Sequence, residues 1–498
     1  WEIQDDQHWA ILGPNGAGKS TLVRAMWGGA PLKNGQIHYH YDKSTNHAHP
    51  VSQKNNIGYV SFELHTKIME HENMESALRQ FANKNDEETT VLSVILSPIA
   101  VERKITNTDI TYATKIAKKL DIEYLLHRSI SVISTGEMRK TLIARALMKR
   151  PKLLILDEPF DGLDESSSAS LVETINVLMA GKIRILLIAH RMEEIVKNIT
   201  HVLLLKDGKI TEQGTKKEML TSEKISALYN CAVTVSEDND CYSLSYAIQK
   251  NLQLNSDKLY KNFPKKLPKT LISMKNVTVR YGDMLVLNKI NWEMKHGENW
   301  TIIGQNGSGK STIVQLILGD TVQGYANDIT LFGLKKGSGE TIWDIKKQIG
   351  IVSSELQVQY RKKMTALDVI ASGFYDSIGT YVCPTKEQME VVRAWCSILS
   401  IEDIASQNYH QLSYGQKRMI LLARSMVKPP VLLIVDEPCH GLDIPNRKRI
   451  LDIIETIGET KTSLLYITHH REEILPCISH ILQLTSGIAK TIPVLRKK

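Results

Sequence analysis

The sequence predicts an α/β protein of two related domains in tandem, each a mainly parallel sheet with helices and an antiparallel β part. Three observations carry that prediction. Short apolar runs alternate with helical stretches, a glycine-rich loop ending in Gly-Lys-Ser occurs twice, and a series of landmarks recurs in the same order in both halves. Ser134, Asp157, Gly162 and His190 reappear as Ser413, Asp436, Gly441 and His469, all displaced by the same number of positions. Lys19 to Lys310 and Gly58 to Gly350 are longer steps, so the first copy carries its extra residues between Gly58 and Ser134.

The loops Gly13-Pro14-Asn15-Gly16-Ala17-Gly18-Lys19-Ser20 and Gly304-Gln305-Asn306-Gly307-Ser308-Gly309-Lys310-Ser311 each follow an apolar run and open a helical pattern. Glycines in such a loop let backbone N–H groups close on phosphate oxygens, the Lys reaches the terminal phosphates, and the Ser hydroxyl ligates Mg²⁺. Gly13, Asn15, Gly16, Gly18, Lys19, Ser20 and Thr21 are therefore assigned to one nucleotide. Gly304, Asn306, Gly307, Gly309, Lys310, Ser311 and Thr312 are assigned to another. The expected ligands are ATP and Mg²⁺.

Next come the apolar runs Leu153–Leu156 and Leu432–Val435, read as buried parallel strands and each ending in Asp-Glu-Pro. Phosphoryl transfer needs a carboxylate for the metal and a group that polarises the attacking water. Asp157 and Asp436 take the first role, joining Ser20 and Ser311 as metal ligands, and Glu158 and Glu437 take the second. A lone Asp-Glu would be an acidic turn; two of them, each after a phosphate loop, are not.

Two further strands, Ile185–Ile188 and Leu464–Ile467, lead to His190 and His469, each at the same spacing after its Asp. A single His is most often a core or surface residue. Identical placement in both copies points instead to a catalytic His facing the nucleotide.

With 498 residues the chain has room for two domains with separate cores. A hydrophobic content of 42% with 23% charged residues is that of a globular chain, and no run of about 18 apolar residues exists to cross a bilayer. Trp1 is not followed by a basic region and an apolar core, so a cytoplasmic location is expected, any membrane association being peripheral at the inner face of the plasma membrane. The six cysteines Cys231, Cys241, Cys383, Cys396, Cys439 and Cys477 show no metal-like spacing and read as free thiols. A net charge of +8 is mild and decides nothing about nucleic acid.

Domain one spans 1–230, a polar linker 231–270, and domain two 271–498. Leu271, opening the second copy, corresponds to a position before Trp1, so the first domain is expected to lack its N-terminal strands. In Gln36-Ile37-His38-Tyr39-His40-Tyr41, followed by His47 and His49, a solvent-facing hairpin is favoured over a metal site.

Ile133-Ser134-Thr135-Gly136-Glu137 and Leu412-Ser413-Tyr414-Gly415-Gln416 resemble the LSGGQ signature of ATP-binding-cassette ATPases. Gly162-Leu163-Asp164 and Gly441-Leu442-Asp443 are similar to the D-loop of that family. The resemblance implies ATP held between the phosphate loop of one cassette and the signature of the other. One composite site would add Ser413 and Gly415 to Lys19, Ser20, Asp157, Glu158 and His190. The other would add Ser134 and Gly136 to Lys310, Ser311, Asp436, Glu437 and His469. It also implies that Tyr281 stacks on adenine and that the monomer forms its own cassette dimer. The family's Q-loop Gln is absent: Phe62 and Ser354 stand there, followed by Glu63 and Glu355.

Leu331-Phe332-Gly333, the stretch Gly337-Ser338-Gly339-Glu340-Thr341-Ile342-Trp343-Asp344-Ile345-Lys346-Lys347, and Ser372-Gly373-Phe374-Tyr375-Asp376-Ser377-Ile378-Gly379 look like the ModF family. So does Ser134-Thr135-Gly136-Glu137 with Arg139-Lys140-Thr141-Leu142. ModF proteins are tandem cassettes described as molybdate-transport ATP-binding subunits, and also labelled photorepair proteins. The resemblance implies an ATPase whose partner is an integral-membrane permease. The less favoured alternative is a soluble switch acting on ribosomes, RNA or DNA. No molybdate-binding constellation is readable.

Overall fold

The short apolar runs become strands buried on both faces, as parallel strands under helices must be. The computed structural model describes residues 1–40, 56–61, 64–65, 68–69, 72, 74, 88–181, 183–229, 259–261, 263–360, 364–379 and 382–494. The chain divides into two units, Trp1–Asp238 and Asn239–Lys498.

The first unit contains β1 (Trp9–Leu12), β2 (Ile57–Ser61), β3 (Leu153–Asp157), β4 (Arg184–Ile188), β5 (His201–Lys206) and β6 (Lys209–Thr215). They form one sheet in the order β2-β3-β4-β1-β5-β6. The neighbours run parallel except for the β5–β6 hairpin. Chain order reverses at β1, which lies between β4 and β5, so a crevice opens at its carboxyl end. There the loop after β1, the Asp157 end of β3 and the segment after β4 come together.

The second unit repeats this design with β9 (Trp300–Gly304), β12 (Ile349–Val352), β13 (Leu432–Asp436), β14 (Ser463–Thr468), β15 (His480–Thr485) and β16 (Ile488–Pro493), ordered β12-β13-β14-β9-β15-β16. It adds an antiparallel sheet of β7 (Thr270–Tyr281), β8 (Met284–Lys295), β10 (Asp328–Leu331) and β11 (Leu334–Lys335), ordered β11-β10-β7-β8. The β10–β11 turn is the Phe332-Gly333 pair, both at positive φ. Among the described residues the first unit has no such second sheet.

Each unit also carries helices beside its sheet. In the first these are Val91–Ala100, Asn107–Lys119 and Thr135–Leu147. In the second, Ala366–Ala371, Lys386–Ile398 and Tyr414–Met426 pack around Trp395 and Tyr409, both fully buried. Burial of large aromatic side chains contributes roughly 1.5–3 kcal/mol apiece.

A pair of stacked rings marks the repeat at the base of each sheet. Trp9 lies on His201 with centroids 4.9 Å apart, and Trp300 lies on His480 at 4.6 Å. Each pair joins the first residue of the switch-point strand to its register partner on the next strand.

Within the segment read as linker, Leu259 is buried in the second unit's core and the Tyr260 hydroxyl donates to Thr460 Oγ1 at 3.0 Å. Lys258 and the stretch 231–257, with Cys231 and Cys241, lie outside the described residues. Residues 36–40 adopt no strand, and Tyr41, His47 and His49 lie outside the described residues. Among the described residues no group of three or more His, Cys, Asp or Glu gathers as a metal site. Among the described residues, Cys383, Cys396, Cys439 and Cys477 form no disulfide. Among the described residues no helix is long and apolar enough to cross a membrane.

Candidate nucleotide sites

In each unit the glycine-rich loop leads from the switch-point strand into a helix, Lys19–Trp27 or Lys310–Leu318. The residues before these helices, Gly18 and Gly309, sit at φ 95° and 103°, a left-handed conformation that disfavours any residue with a Cβ. Lys19 Nζ donates to the Gly13 carbonyl (2.7 Å) and the Pro14 carbonyl (3.1 Å). Lys310 Nζ donates to Gly304 (2.7 Å) and Gln305 (3.0 Å). Each ammonium is thus held against the loop it would share with a phosphate chain, at the positive end of a helix.

Ser20 Oγ donates to Asp157 Oδ1 at 3.2 Å, bringing the phosphate loop to the end of β3. The pair offers hard oxygen donors only, a set that fits Mg²⁺ completed by phosphate oxygens and water. The other carboxylate oxygen, Oδ2, accepts from the Tyr59 hydroxyl at 2.7 Å. Burial and the neighbouring Glu158 raise the Asp157 carboxyl despite these hydroxyls. Burial, with the Asp157 charge, pushes the Tyr59 phenol up to about 12. In the second unit burial and the Glu437 charge raise Asp436 to about 6; Glu355 adds to the rise, while Lys310 and Arg418 oppose it.

Glu158 and Glu437 both adopt positive φ, 53° and 45°. Their N–H groups donate across the sheet to Ile188 and Ile467 at 3.2 and 3.0 Å. A left-handed Glu is strained, and it occurs at the same point of both copies. The turn aims each carboxylate at the His that follows the neighbouring strand. His190 Nε2 lies 2.7 Å from Glu158 Oε1, and His469 Nδ1 lies 2.9 Å from Glu437 Oε1. Burial alone would lower His190, but the hydrogen bond to Glu158 and its charge leave it raised. Burial opposes ionisation of Glu437, yet His469 outweighs it and holds the carboxyl low. The ring nitrogens turned away, His190 Nδ1 and His469 Nε2, are buried without a hydrogen-bond partner among the described residues.

The signature segments form helix starts. Ser134 Oγ accepts from Glu137 N (3.3 Å) while Glu137 Oε2 accepts from Ser134 N (2.7 Å). Ser413 and Gln416 repeat the exchange at 3.3 and 2.9 Å. These reciprocal caps satisfy two backbone donors at each helix start. Gly136 and Gly415 face the following helices: an added Cβ would lie 3.0 Å from Ser167 Cβ and 2.9 Å from the Asn446 amide carbon.

Ser20, Asp157, Glu158 and His190 therefore gather beside Lys19, while in the second unit Glu437 pairs with His469 and the Lys310 charge acts on Asp436 and Glu437. Tyr281 ends β7 and is 47% exposed. At the Q-loop positions Ser353 caps a helix, Ser354–Gln359, in which Glu355 is exposed. Ser354 Oγ accepts from Arg418 Nη2 at 2.9 Å. Phe62 and Glu63 lie outside the described residues. Sequence reasoning missed Tyr59 and Arg418. The mismatch of Tyr59 with Ile351 in otherwise matching strands was the available signal for the first; for the second it was the recurrence of Arg139 as Arg418 at the displacement shared by the other landmarks.

A capped signature helix together with a complete phosphate loop, present in each unit, separates this architecture from other phosphate-loop folds and defines a tandem cassette ATPase. The chain belongs to the ABC transporter family, whose model matches residues 1–161 and 287–440. Its relatives include the ABC transporter ATP-binding protein ModF of Escherichia coli (strain K12), 38% identical over 480 residues, covering 95% of this chain and 90% of that protein. An ABC transporter ATP-binding protein of Schizosaccharomyces pombe (strain 972 / ATCC 24843) is 26% identical over 493 residues, 98% of this chain and 94% of its own length. Among solved structures, the complex of an archaeal ribosomal stalk protein with an archaeal ribosome recycling factor covers 99% of this chain and 87% of its own. Its TM-score is 0.58 at 17% identity, a likeness of fold alone. ATP binding and ATPase activity follow from family membership.

Proposed function

We propose that this ATPase is the ATP-binding subunit of a transport system, turning over ATP with Mg²⁺ at two composite sites. The reading rests chiefly on the relative named ModF, which matches the tandem arrangement over nearly its whole length. Ser20 with Asp157, and Ser311 with Asp436, would hold Mg²⁺, which neutralises charge on the phosphates. Lys19 and Lys310 bind the terminal phosphates. Glu158 and Glu437 orient and polarise the attacking water, and His190 and His469 fix those carboxylates and the terminal phosphate. Ser413 with Gly415, and Ser134 with Gly136, present helix starts to the terminal phosphate of the opposite cassette, so ATP closes the cassettes and hydrolysis releases them. Tyr281 stacks on adenine in one site. The partner is an integral-membrane permease, met at the inner face of the membrane, and the cargo is molybdate-related.

The experiment is affinity capture with the Glu158→Gln, Glu437→Gln double variant, which traps the ATP-closed state, in ATP and in ADP. ATP-dependent recovery of a membrane permease supports transport. Recovery of ribosomes or DNA without a membrane protein would overturn it in favour of a soluble switch.

A further inference from the structure

The two metal ends are built differently. In the first unit both carboxylate oxygens of Asp157 accept a hydroxyl, Oδ1 from Ser20 at 3.2 Å and Oδ2 from Tyr59 at 2.7 Å. Tyr59 is itself held in place by stacking on Trp27, with ring centroids 5.2 Å apart and planes at 22°. Trp27 ends the helix that begins at Lys19. The chain thus closes a circuit: phosphate-loop helix, Trp27, Tyr59, Asp157, Ser20 and back to the same helix. In the second unit the corresponding residues are Leu318 and Ile351, which have neither an aromatic face nor a hydroxyl. No hydrogen bond to either carboxylate oxygen of Asp436 occurs among the described residues.

We infer that Tyr59 is a positioning residue that locks the Asp157 carboxylate for the metal, making the first phosphate-loop site a stronger divalent-cation site than the second. The physical reason is preorganisation. A carboxylate on a strand end rotates about its terminal bond, and that freedom is lost when metal binds. A phenol fixed by stacking removes the freedom beforehand, leaving Oδ1 beside Ser20 Oγ. Partners that orient a metal's ligands typically change its affinity by about 10- to 100-fold. Asp436 must be ordered by the metal itself. The inference rests on the assignment of Ser20 and Asp157 as metal ligands.

The test is Mn²⁺ binding, read by electron paramagnetic resonance in the presence of a non-hydrolysable ATP analogue. The full chain carries Lys310→Ala and Ser311→Ala to silence the second site. Tyr59→Phe keeps the stacked ring and removes only the hydroxyl. It is expected to weaken Mn²⁺ about tenfold while leaving affinity for a fluorescent ATP analogue in chelator unchanged. A second background, Lys19→Ala with Ser20→Ala, isolates the other site. There Leu318→Trp with Ile351→Tyr is expected to strengthen Mn²⁺ binding. Unchanged Mn²⁺ affinity in Tyr59→Phe, where the parent binds Mn²⁺ and the variant melts at the parental temperature, overturns the inference alone. A parent that binds no Mn²⁺ with nucleotide overturns the ligand assignment and the inference together.

Discussion

His190 Nε2 lies 2.7 Å from Glu158 Oε1, joining residues at the ends of two adjacent strands. The contact occurs with Glu158 at φ 53°, a left-handed backbone state that is uncommon for a residue with a Cβ. The same pairing recurs between His469 and Glu437, through Nδ1 instead of Nε2. Strain is thus retained twice at one functional position.

Replacing both carboxylates tests their role in hydrolysis. The Glu158→Gln, Glu437→Gln variant is expected to lose at least about 100-fold in kcat while ATP still binds, because a positioned acid or base contributes roughly 10²–10⁴-fold. Steady-state phosphate release and equilibrium ATP binding check the two halves of this expectation. Loss of binding together with turnover would mean that the carboxylates hold the fold or the nucleotide.

The Asp436 carboxyl, raised to about 6 by burial and Glu437, predicts a pH-dependent cost. A carboxyl that titrates higher when folded than when unfolded gives stability as pH falls through about 6, and withholds it above. Asp436→Asn is therefore expected to stabilise the nucleotide-free protein at pH 7.5 by on the order of 2 kcal/mol. The advantage should fade toward pH 4. Thermal unfolding across that range measures it, and a pH-independent difference would contradict the linkage.

Gly13 cannot be enlarged without displacing backbone. A Cβ there would sit 2.1 Å from the Leu205 carbonyl oxygen. Gly13→Ala is expected to cost about 1–3 kcal/mol, as overpacked sites do, and to weaken ATP binding at the first site. Gly136→Ala, whose nearest neighbour is Ser167 Cβ at 3.0 Å, should cost less. Denaturant titration of both variants compares the two.

Trp395 anchors the helical part of the second unit and is 1% exposed. Trp395→Ala is expected to cost about 3–5 kcal/mol. Its indole N–H is buried without a partner among the described residues, so Trp395→Phe, which removes that donor, should recover much of the loss. Equal destabilisation by both variants would show that ring size governs the site.

The strands were legible because their chemistry is local. Leu153–Leu156 and Leu432–Val435 read as buried strands and form β3 and β13, each one residue longer than its apolar run. The polarity of the stretch after residue 230 suggests a linker, and within it Leu259 and Tyr260 pack on the second unit. Two apolar residues in a polar segment carry no periodic signal. The Q-loop positions were legible only as a departure; that Ser353 starts a helix and Arg418 reaches Ser354 depends on residues far apart in the chain.

The sequence by itself determined that this protein is a duplicated cassette ATPase, because glycines, apolar runs and a fixed order of chemical groups are written along the chain. Tertiary structure decided which groups meet. The strand order places the carboxyl ends of β3, β4 and β1 side by side, turning separate segments into one site. It also set Tyr59 against Asp157 while giving Asp436 no such partner, a difference that neither copy's motif contains. A carboxylate's motif fixes its chemistry, but its orientation, hydration and proton affinity come from neighbours that only folding supplies.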